Sequence, residues 1–337
     1  MSIETTMKAI VIEEFGTPSV LKQAEIPTPS AGDGEVLIEV KASSVNPVDW
    51  KIRNGFGAFL CPSFPSVLHP DCSGVVAQIG NGVSNFQVGD EVWSFASGIM
   101  GKQGALAEYM PADIRMVAKK PKSLSFEDAA TLPLVSVTAW LCLLERTKIE
   151  PGSNVLIQGG TGGVGFIALQ IAKEKLNVNL YATCGSDEKC RIAEDLGAKR
   201  AFNYKTITVE EMVDYATGGK GFDVVFNTPG TLSINASVEA CCFGGTILDI
   251  NNSFPTKGNF QGKQLGFLSV FAGYPIVNGF NQAKVGEILT EISQMVDAGK
   301  IQPLIDERRF TYAQIQAAHD YQENGKLIGK VALKATW

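Results

Sequence analysis

Apolar and polar residues alternate with a period of two through the first third of the chain, and a strand–helix rhythm replaces that alternation in the middle third. Met7–Glu13 and Glu35–Ala42 carry apolar residues at every second position, separated by the turn-forming cluster Pro27–Gly34. Ser73–Ile79 and Glu91–Phe95 flank the turn dipeptide Gly89-Asp90. No long helical period interrupts these segments, so the pattern predicts a small, mostly β unit.

Near Ser125 the rhythm changes. Ser125-x-x-Asp128 forms a capping-box pattern that opens a helical run through Leu144. Asn154–Gln158 then reads as a short apolar strand, and Val164, Ile167, Ala168, Ile171 and Ala172 share one helix face. A strand at Asn179–Cys184 and a helix at Glu188–Leu196 follow, then strands at Phe222–Asn227, Gly245–Ile250 and Phe267–Ala272. Strands alternating with helices predict parallel pairing through right-handed crossovers. The tail holds an amphipathic helix with Ile288, Leu289, Ile292, Met295 and Val296 on one face, and a strand near Ile301–Ile305. A helix opened by Thr311-x-x-Gln314 and a strand at Gly329–Leu333 complete it. Periodicity leaves open whether this tail extends the second sheet or returns to the first unit.

With 337 residues, the chain exceeds one ordinary core, and two domains are expected. A formal charge of −6 removes any nucleic-acid or anionic-membrane reading that rests on net electrostatics. The apolar stretch Leu132–Leu144 is too short to span a bilayer and is broken by Pro133, so a buried helix is expected and no membrane partner. The seven cysteines are scattered without a CxxC pair, which fits reduced thiols and a cytoplasmic location.

The chemistry concentrates in Gln158-Gly-Gly-Thr-Gly-Gly-Val-Gly165. Gly160, Gly162 and Gly165 fit a dinucleotide fingerprint, with Thr161, Gly163 and Val164 between them, and the loop joins a strand to a helix as that motif requires. The helix N-terminus there offers N–H groups to phosphates. About twenty residues on, where an acidic residue would hold the ribose of NAD, the sequence has Gly185 and Ser186, with Lys189 one turn further. That composition favours NADP(H), although Asp187 and Glu188 stand close by.

Taken together, the residues resemble the medium-chain dehydrogenase/reductase superfamily, in its zinc-free, ζ-crystallin-like quinone oxidoreductase and enone reductase branch. The resemblance rests on Asn46-Pro-Val-Asp49-Trp-Lys51, Pro70-Asp-Cys-Ser-Gly-Val75, Val88-Gly-Asp-Glu-Val92, Gly159–Gly165, Asn203-Tyr204 and Gly325-Lys-Leu-Ile-Gly-Lys330, and spans nearly the whole chain. It implies an α/β protein: a doubly wound parallel Rossmann sheet plus a GroES-like, mostly β substrate domain, with the active site in the cleft. The implied boundaries are residues 1–126 and 275–337 for the substrate domain and 127–274 for the nucleotide domain. It further implies Tyr204 as a 2′-phosphate contact beside Ser186 and Lys189, Asn227 near the cofactor, Asn251 near the nicotinamide ribose, and a homodimer joined through the Rossmann sheets.

Zinc-dependent members of the superfamily place metal ligands at positions that fall here on Asn46, on Pro70 and close to Pro133. Prolines have no side-chain donor and an asparagine amide is a poor zinc ligand, so no metal is expected. Without zinc, alcohol oxidation loses its usual means of lowering the alcohol pKa, whereas quinones and α,β-unsaturated carbonyls delocalise the developing charge. Asn46 and Lys51 are the candidate catalytic residues, the amide for substrate orientation and the ammonium for the oxyanion or a ribose. Each has a plain structural alternative, turn chemistry before Pro47 for Asn46 and a solvated lysine for Lys51. Trp50, Phe56, Phe59 and Phe64 are candidates for an apolar pocket or for core. Two rival functions stand beside the quinone and enone reading: a zinc-free carbonyl reductase or alcohol dehydrogenase, and a non-catalytic NADPH-binding sensor or structural protein.

Overall fold

The computed structural model describes residues 3–325 and 327–337 and divides them into two compact units. The first comprises residues up to Leu134 together with Gly273–Trp337, and the second Val135–Ala272.

The first unit is built on antiparallel strands. β1 (Thr6–Val11) pairs with β2 (Lys22–Pro27), and β3 (Glu35–Val45) is the long central strand of a separate sheet. β4 (Asp71–Ile79), β5 (Glu91–Phe95) and β7 (Val117–Lys119) continue that sheet on one side of β3, while β6 (Tyr109–Asp113) also pairs with β3. A short helix, α1 (Pro47–Arg53), follows β3, and α2 (Phe126–Ala129) packs on β3 and β4. β5 falls on the expected Glu91–Phe95 segment, with Val92 to Phe95 all buried.

The helical run that the pattern predicts from Ser125 to Leu144 is broken. Pro133 lacks an N–H and starts a new helix, α3 (Pro133–Trp140), which widens into a π turn at Leu141–Glu145. Two thirds of the apolar window in 126–145 is buried, the environment of a core helix.

The second unit carries a six-stranded, all-parallel sheet in the order β10-β9-β8-β11-β12-β13. Its strands are β8 (Asn154–Gln158), β9 (Asn179–Cys184), β10 (Arg200–Asn203), β11 (Phe222–Asn227), β12 (Cys241–Asp249) and β13 (Gly266–Ser269). The connecting helices are α4 (Gly163–Lys175), α5 (Asp187–Asp195), α6 (Val209–Thr217) and α7 (Ile234–Ala240). From β8 the chain winds outward through β9 and β10, then returns to β11 on the other side. Strand order therefore reverses between β8 and β11, the place where open α/β sheets bind ligands beyond their strand C-termini. Leu156, Tyr181, Phe202, Phe222, Val225 and Ile247 share a buried cluster in this unit.

The tail returns to the first unit. α8 (Tyr274–Asn278) leads into α9 (Gln282–Asp297), which packs on β5 and β7. No strand forms at Ile301–Ile305; only Ile305 bridges to Lys330, since Pro303 supplies no donor for a ladder. β14 (Phe310–Thr311), α10 (Ile315–Glu323) and β15 (Val331–Lys334) close the chain, with β15 antiparallel to β3. In that register Val331 faces Val45, so the residues just beyond them, Lys330 and Asn46, become neighbours.

Candidate active site

In the second unit the fingerprint loop runs from the end of β8 into the first turn of α4, with Gly162 as N-cap. A Cβ on Gly165 would lie 2.0 Å from the Gly159 carbonyl oxygen, so only glycine lets this turn close. Gly160 is also closely packed, a Cβ there lying 2.8 Å from the Ala182 methyl. Thr161 is buried. Gly163, Val164 and Gly165 form the first helical turn, whose N–H groups have no partner within a helix and are presented to an anion. This backbone fits a nucleotide pyrophosphate.

At the end of β9, Gly185 lies beside the Tyr204 ring: a Cβ there would meet the phenol oxygen at 2.9 Å. Tyr204 is 60% exposed. Ser186 caps α5 by accepting from the Lys189 N–H. Asp187 is engaged by Asn203 Nδ2 at 2.8 Å, so this carboxylate serves the β10 corner. Asn227 is fully buried: its amide donates to Asp249 at 2.7 Å and to the Gly230 carbonyl, and accepts from Ser233. It braces the β11 end beside the loop, and its side chain reaches no open space. Asn251 donates to the Thr228 carbonyl at 2.9 Å, on the same loop cluster.

The first unit holds a buried polar cluster centred on Asp71. Its Oδ2 accepts from Ser44 Oγ at 2.8 Å and Asn46 Nδ2 at 2.7 Å, and its Oδ1 from the Leu134 N–H at 2.7 Å. One carboxylate thus gathers Asn46, Pro70 next to it in sequence, and the Pro133-Leu134 step. All three partners of this carboxylate come from segments remote in sequence from the start of β4. Lys330 Nζ donates to Asn46 Oδ1 and to the Val45 carbonyl, and lies 3.8 Å from Asp71 Oδ2. Asn46 is completely buried with both ends of its amide engaged, and it starts α1, where its own N–H donates to Asp49.

The Asn46 amide is fully enclosed, held by Asp71 at its nitrogen and Lys330 at its oxygen, and it anchors the start of α1. Lys51 lies on α1 with its ammonium 5.8 Å from the Trp50 ring centre. Phe56, Phe59 and Phe64 are exposed, at 86%, 75% and 46%, and so are surface and not core.

The two histidines, remote in sequence, meet. His69 Nε2 and His319 Nε2 are 2.9 Å apart, while His319 Nδ1 faces Arg53 at 3.3 Å and His69 Nδ1 faces Ser43 Oγ at 3.3 Å. Arg53 only donates and also reaches Glu323 and the Gly16 carbonyl. His319 must therefore accept at Nδ1 and donate from Nε2. His69 accepts at Nε2 and carries its proton on Nδ1. His69 also adopts φ +74°, a left-handed conformation uncommon for residues other than glycine. Periodicity offered no sign of this pairing, since nothing in a sequence ties a strand start to a helix 250 residues later.

Burial decides the charges. It lowers His69 well below the ordinary histidine range, aided by His319 and Lys330, and lowers His319 to about 3, aided by Arg53. It raises Asp49 well above the ordinary carboxyl range, Asp71 adding to the effect, and Asp49 Oδ1 has no hydrogen-bond partner. Burial also raises Asp71 and lowers Lys330, each opposed first by the other's charge. The cluster balances as two ion pairs, Lys330 with Asp71 and Arg53 with Glu323, beside neutral imidazoles.

These residues do not fit a zinc ion. Asn46 offers an amide whose oxygen an ammonium already engages, and neither Pro70 nor Pro133, near the third position, carries a side-chain donor. Among the described residues no group of three or more His, Cys, Asp or Glu could hold a metal. Cys61 turns toward Ser66, and Cys72 is buried, with burial pushing its thiol up from the ordinary range.

Residues 32–122 match the family model described as alcohol dehydrogenase GroES-like domain, and residues 196–333 that described as zinc-binding dehydrogenase. The 2-methylene-furan-3-one reductase of Solanum lycopersicum is 31% identical, over 99% of this chain and 80% of its own. The chloroplastic NADPH-dependent alkenal/one oxidoreductase of Arabidopsis thaliana is 30% identical, over 98% of this chain and 80% of its own. Among solved structures, Escherichia coli quinone oxidoreductase complexed with NADPH superposes with a TM-score of 0.84 at 26% identity, covering 97% of this chain and 99% of that one. With a GroES-like unit, a Rossmann sheet wound around a glycine fingerprint and these relatives, the chain belongs to the medium-chain dehydrogenase/reductase superfamily, on its quinone oxidoreductase branch.

Proposed function

We propose that this protein is an NADPH-dependent reductase that transfers hydride to quinones or α,β-unsaturated carbonyls without zinc. The observation that carries the cofactor choice is the end of β9. Gly185 and Ser186 occupy the position where an acidic residue would hold the ribose of NAD, and Asp187 is held by Asn203, which leaves Glu188 as the exposed carboxylate of that turn. Tyr204 stands alongside, and Lys189 supplies positive charge. The names of the tomato and Arabidopsis relatives support a conjugated acceptor.

Bound at the fingerprint loop, the reduced nicotinamide supplies the hydride. The chain's own task is to hold the pyrophosphate, orient the acceptor and stabilise charge on its oxygen. Lys51 is the proposed donor to that oxygen, and the exposed Phe56 and Phe59 are proposed to cover a flat acceptor. Lysine in place of a metal suits conjugated acceptors, whose charge is already spread over the π system. β13 is the last strand of its sheet, which supports a homodimer formed by edge pairing. All seven thiols are free, which supports a reducing, cytoplasmic setting.

The test is NADPH oxidation by chelator-treated protein, comparing 1,2-naphthoquinone and an enal with a simple ketone, and NADPH with NADH. Turnover of the conjugated acceptors with preference for NADPH is expected. Turnover of the ketone alone, loss of activity on chelation, or NADPH binding without turnover would each overturn the reading.

A further inference from the structure

The return segment after the Rossmann unit supplies two buried side chains, Lys330 and His319, and the partly exposed Glu323, which all act on one short helix. α1 is only seven residues long and cannot hold its own geometry in isolation. At its start, Asn46 is gripped by Lys330 on its carbonyl oxygen and by Asp71 on its amide nitrogen. At its end, Arg53 reaches His319 and Glu323 of α10, the latter at 2.8 Å. Trp50 and Lys51 lie between these two pins.

An asparagine amide has nearly the same shape when flipped, so shape alone does not select its orientation. A cation at one end and an anion at the other do. Burying an ammonium is expensive, and an apolar side chain of similar volume often serves stability as well or better. A buried lysine that is paired with Asp71 and donates to the far end of the amide that Asp71 also holds therefore points to orientation. The β15–β3 register explains how it arrives there: Val331 pairs with Val45, which sets Lys330 against Asn46.

We propose that Lys330 is a positioning residue for the reduction: by fixing the Asn46 amide it sets the start of α1, and through α1 the placement of Lys51. This rests on the quinone and enone reading above. Lys330 touches neither substrate nor cofactor in this role, so its loss acts on kcat more than on nucleotide binding.

The test compares Lys330→Met, which removes the donor, with Lys330→Gln, whose amide still donates to Asn46 Oδ1. NADPH affinity by fluorescence titration, kcat and KM for 1,2-naphthoquinone, and amide exchange across 46–53 are measured for each. The expected result is a tenfold or greater loss of kcat in Lys330→Met, with NADPH affinity within about twofold, faster exchange confined to α1, and recovery of most of the kcat in Lys330→Gln. Should Lys330→Met not fold, Lys330→Met/Asp71→Asn leaves no charge buried alone and makes the same comparison. Wild-type kcat in a folded Lys330→Met or double variant overturns the proposal, as does an equal loss in Met and Gln variants. Absence of turnover in the wild type would instead sink the reading it rests on, while the exchange data would still report whether Lys330 orders α1.

Discussion

His69 Nε2 lies 2.9 Å from His319 Nε2, and only one of the two can carry the proton between them. The partners on either side select which. Arg53 forces His319 to accept at Nδ1, so His319 donates to His69, and the chain of donors runs one way from Arg53 toward Ser43 and the Asp71 carbonyl. Protonating either imidazole would put two N–H groups against each other in a dry interior.

Acid sensitivity follows. His319 is held at about 3 in the folded protein, and an unfolded histidine titrates near 6.5. Between those values the unfolded state binds more protons, so stability is full above about pH 6.5 and falls as pH drops. Groups facing this ring are His69, Arg53 and, through His69, Asp49 and Lys330. Asp49 has the opposite sign, since its raised folded pKa makes acid favourable to it. The clean observable is therefore a difference: the stability gap between wild type and His319→Gln in urea should narrow by ~2 kcal/mol from pH 7 to pH 5. A gap independent of pH would mean that folding does not shift the titration of His319.

Gly165→Ala should abolish tight NADPH binding. The added methyl would meet the Gly159 carbonyl oxygen at 2.0 Å, and backbone cannot yield as a side-chain tip can. A loss of at least about tenfold in affinity is expected, together with a lower melting temperature. Unchanged affinity in a titration followed by fluorescence would show that this turn is not where the nucleotide sits.

Lys189→Ala should separate the two nicotinamide cofactors. Lys189 follows the Ser186 cap, beside Tyr204 and Gly185, where a 2′-phosphate is expected. Losing one charge-assisted contact of ~1.5 kcal/mol raises KM for NADPH about tenfold and leaves KM for NADH nearly unchanged. Equal effects on both cofactors would place Lys189 elsewhere.

Asn46→Ala and Lys51→Ala should fail in different ways. Removing the Asn46 amide strips partners from buried Asp71 and Lys330, and should lower stability by ~2 kcal/mol. Lys51→Ala removes a half-buried side chain and should keep the melting temperature within a few degrees while reducing kcat. Full activity in folded Lys51→Ala would remove lysine from the proposed chemistry.

How much was legible in advance depends on the range of the interaction. β5, β8, β9 and β11 were readable to the residue because alternation or a short apolar run is a local property of a strand. The fingerprint loop was equally readable, since its glycines are demanded by a turn that closes within a few residues. β2, β6 and α6 were not picked out, though Thr208 and Glu211 form a capping box at the start of α6 that could have signalled it. A strand at Ile301–Ile305 was expected from its apolar residues, and Pro303 with no ladder partner left a single bridge.

The polar cluster was not legible at all. Sequence alone determined the parallel sheet, the nucleotide loop, the missing acidic residue after β9 and the lack of metal donors at Asn46, Pro70 and Pro133, because each depends on residue identity within a short window. Only the tertiary structure decided that Lys330 grips Asn46, that Asp71 joins Ser44 to Leu134, and that His69 meets His319. Those contacts are set by β-strand register and helix packing between segments up to 285 residues apart. In a buried interior such contacts determine which groups are charged, and so what Asn46 is available to do.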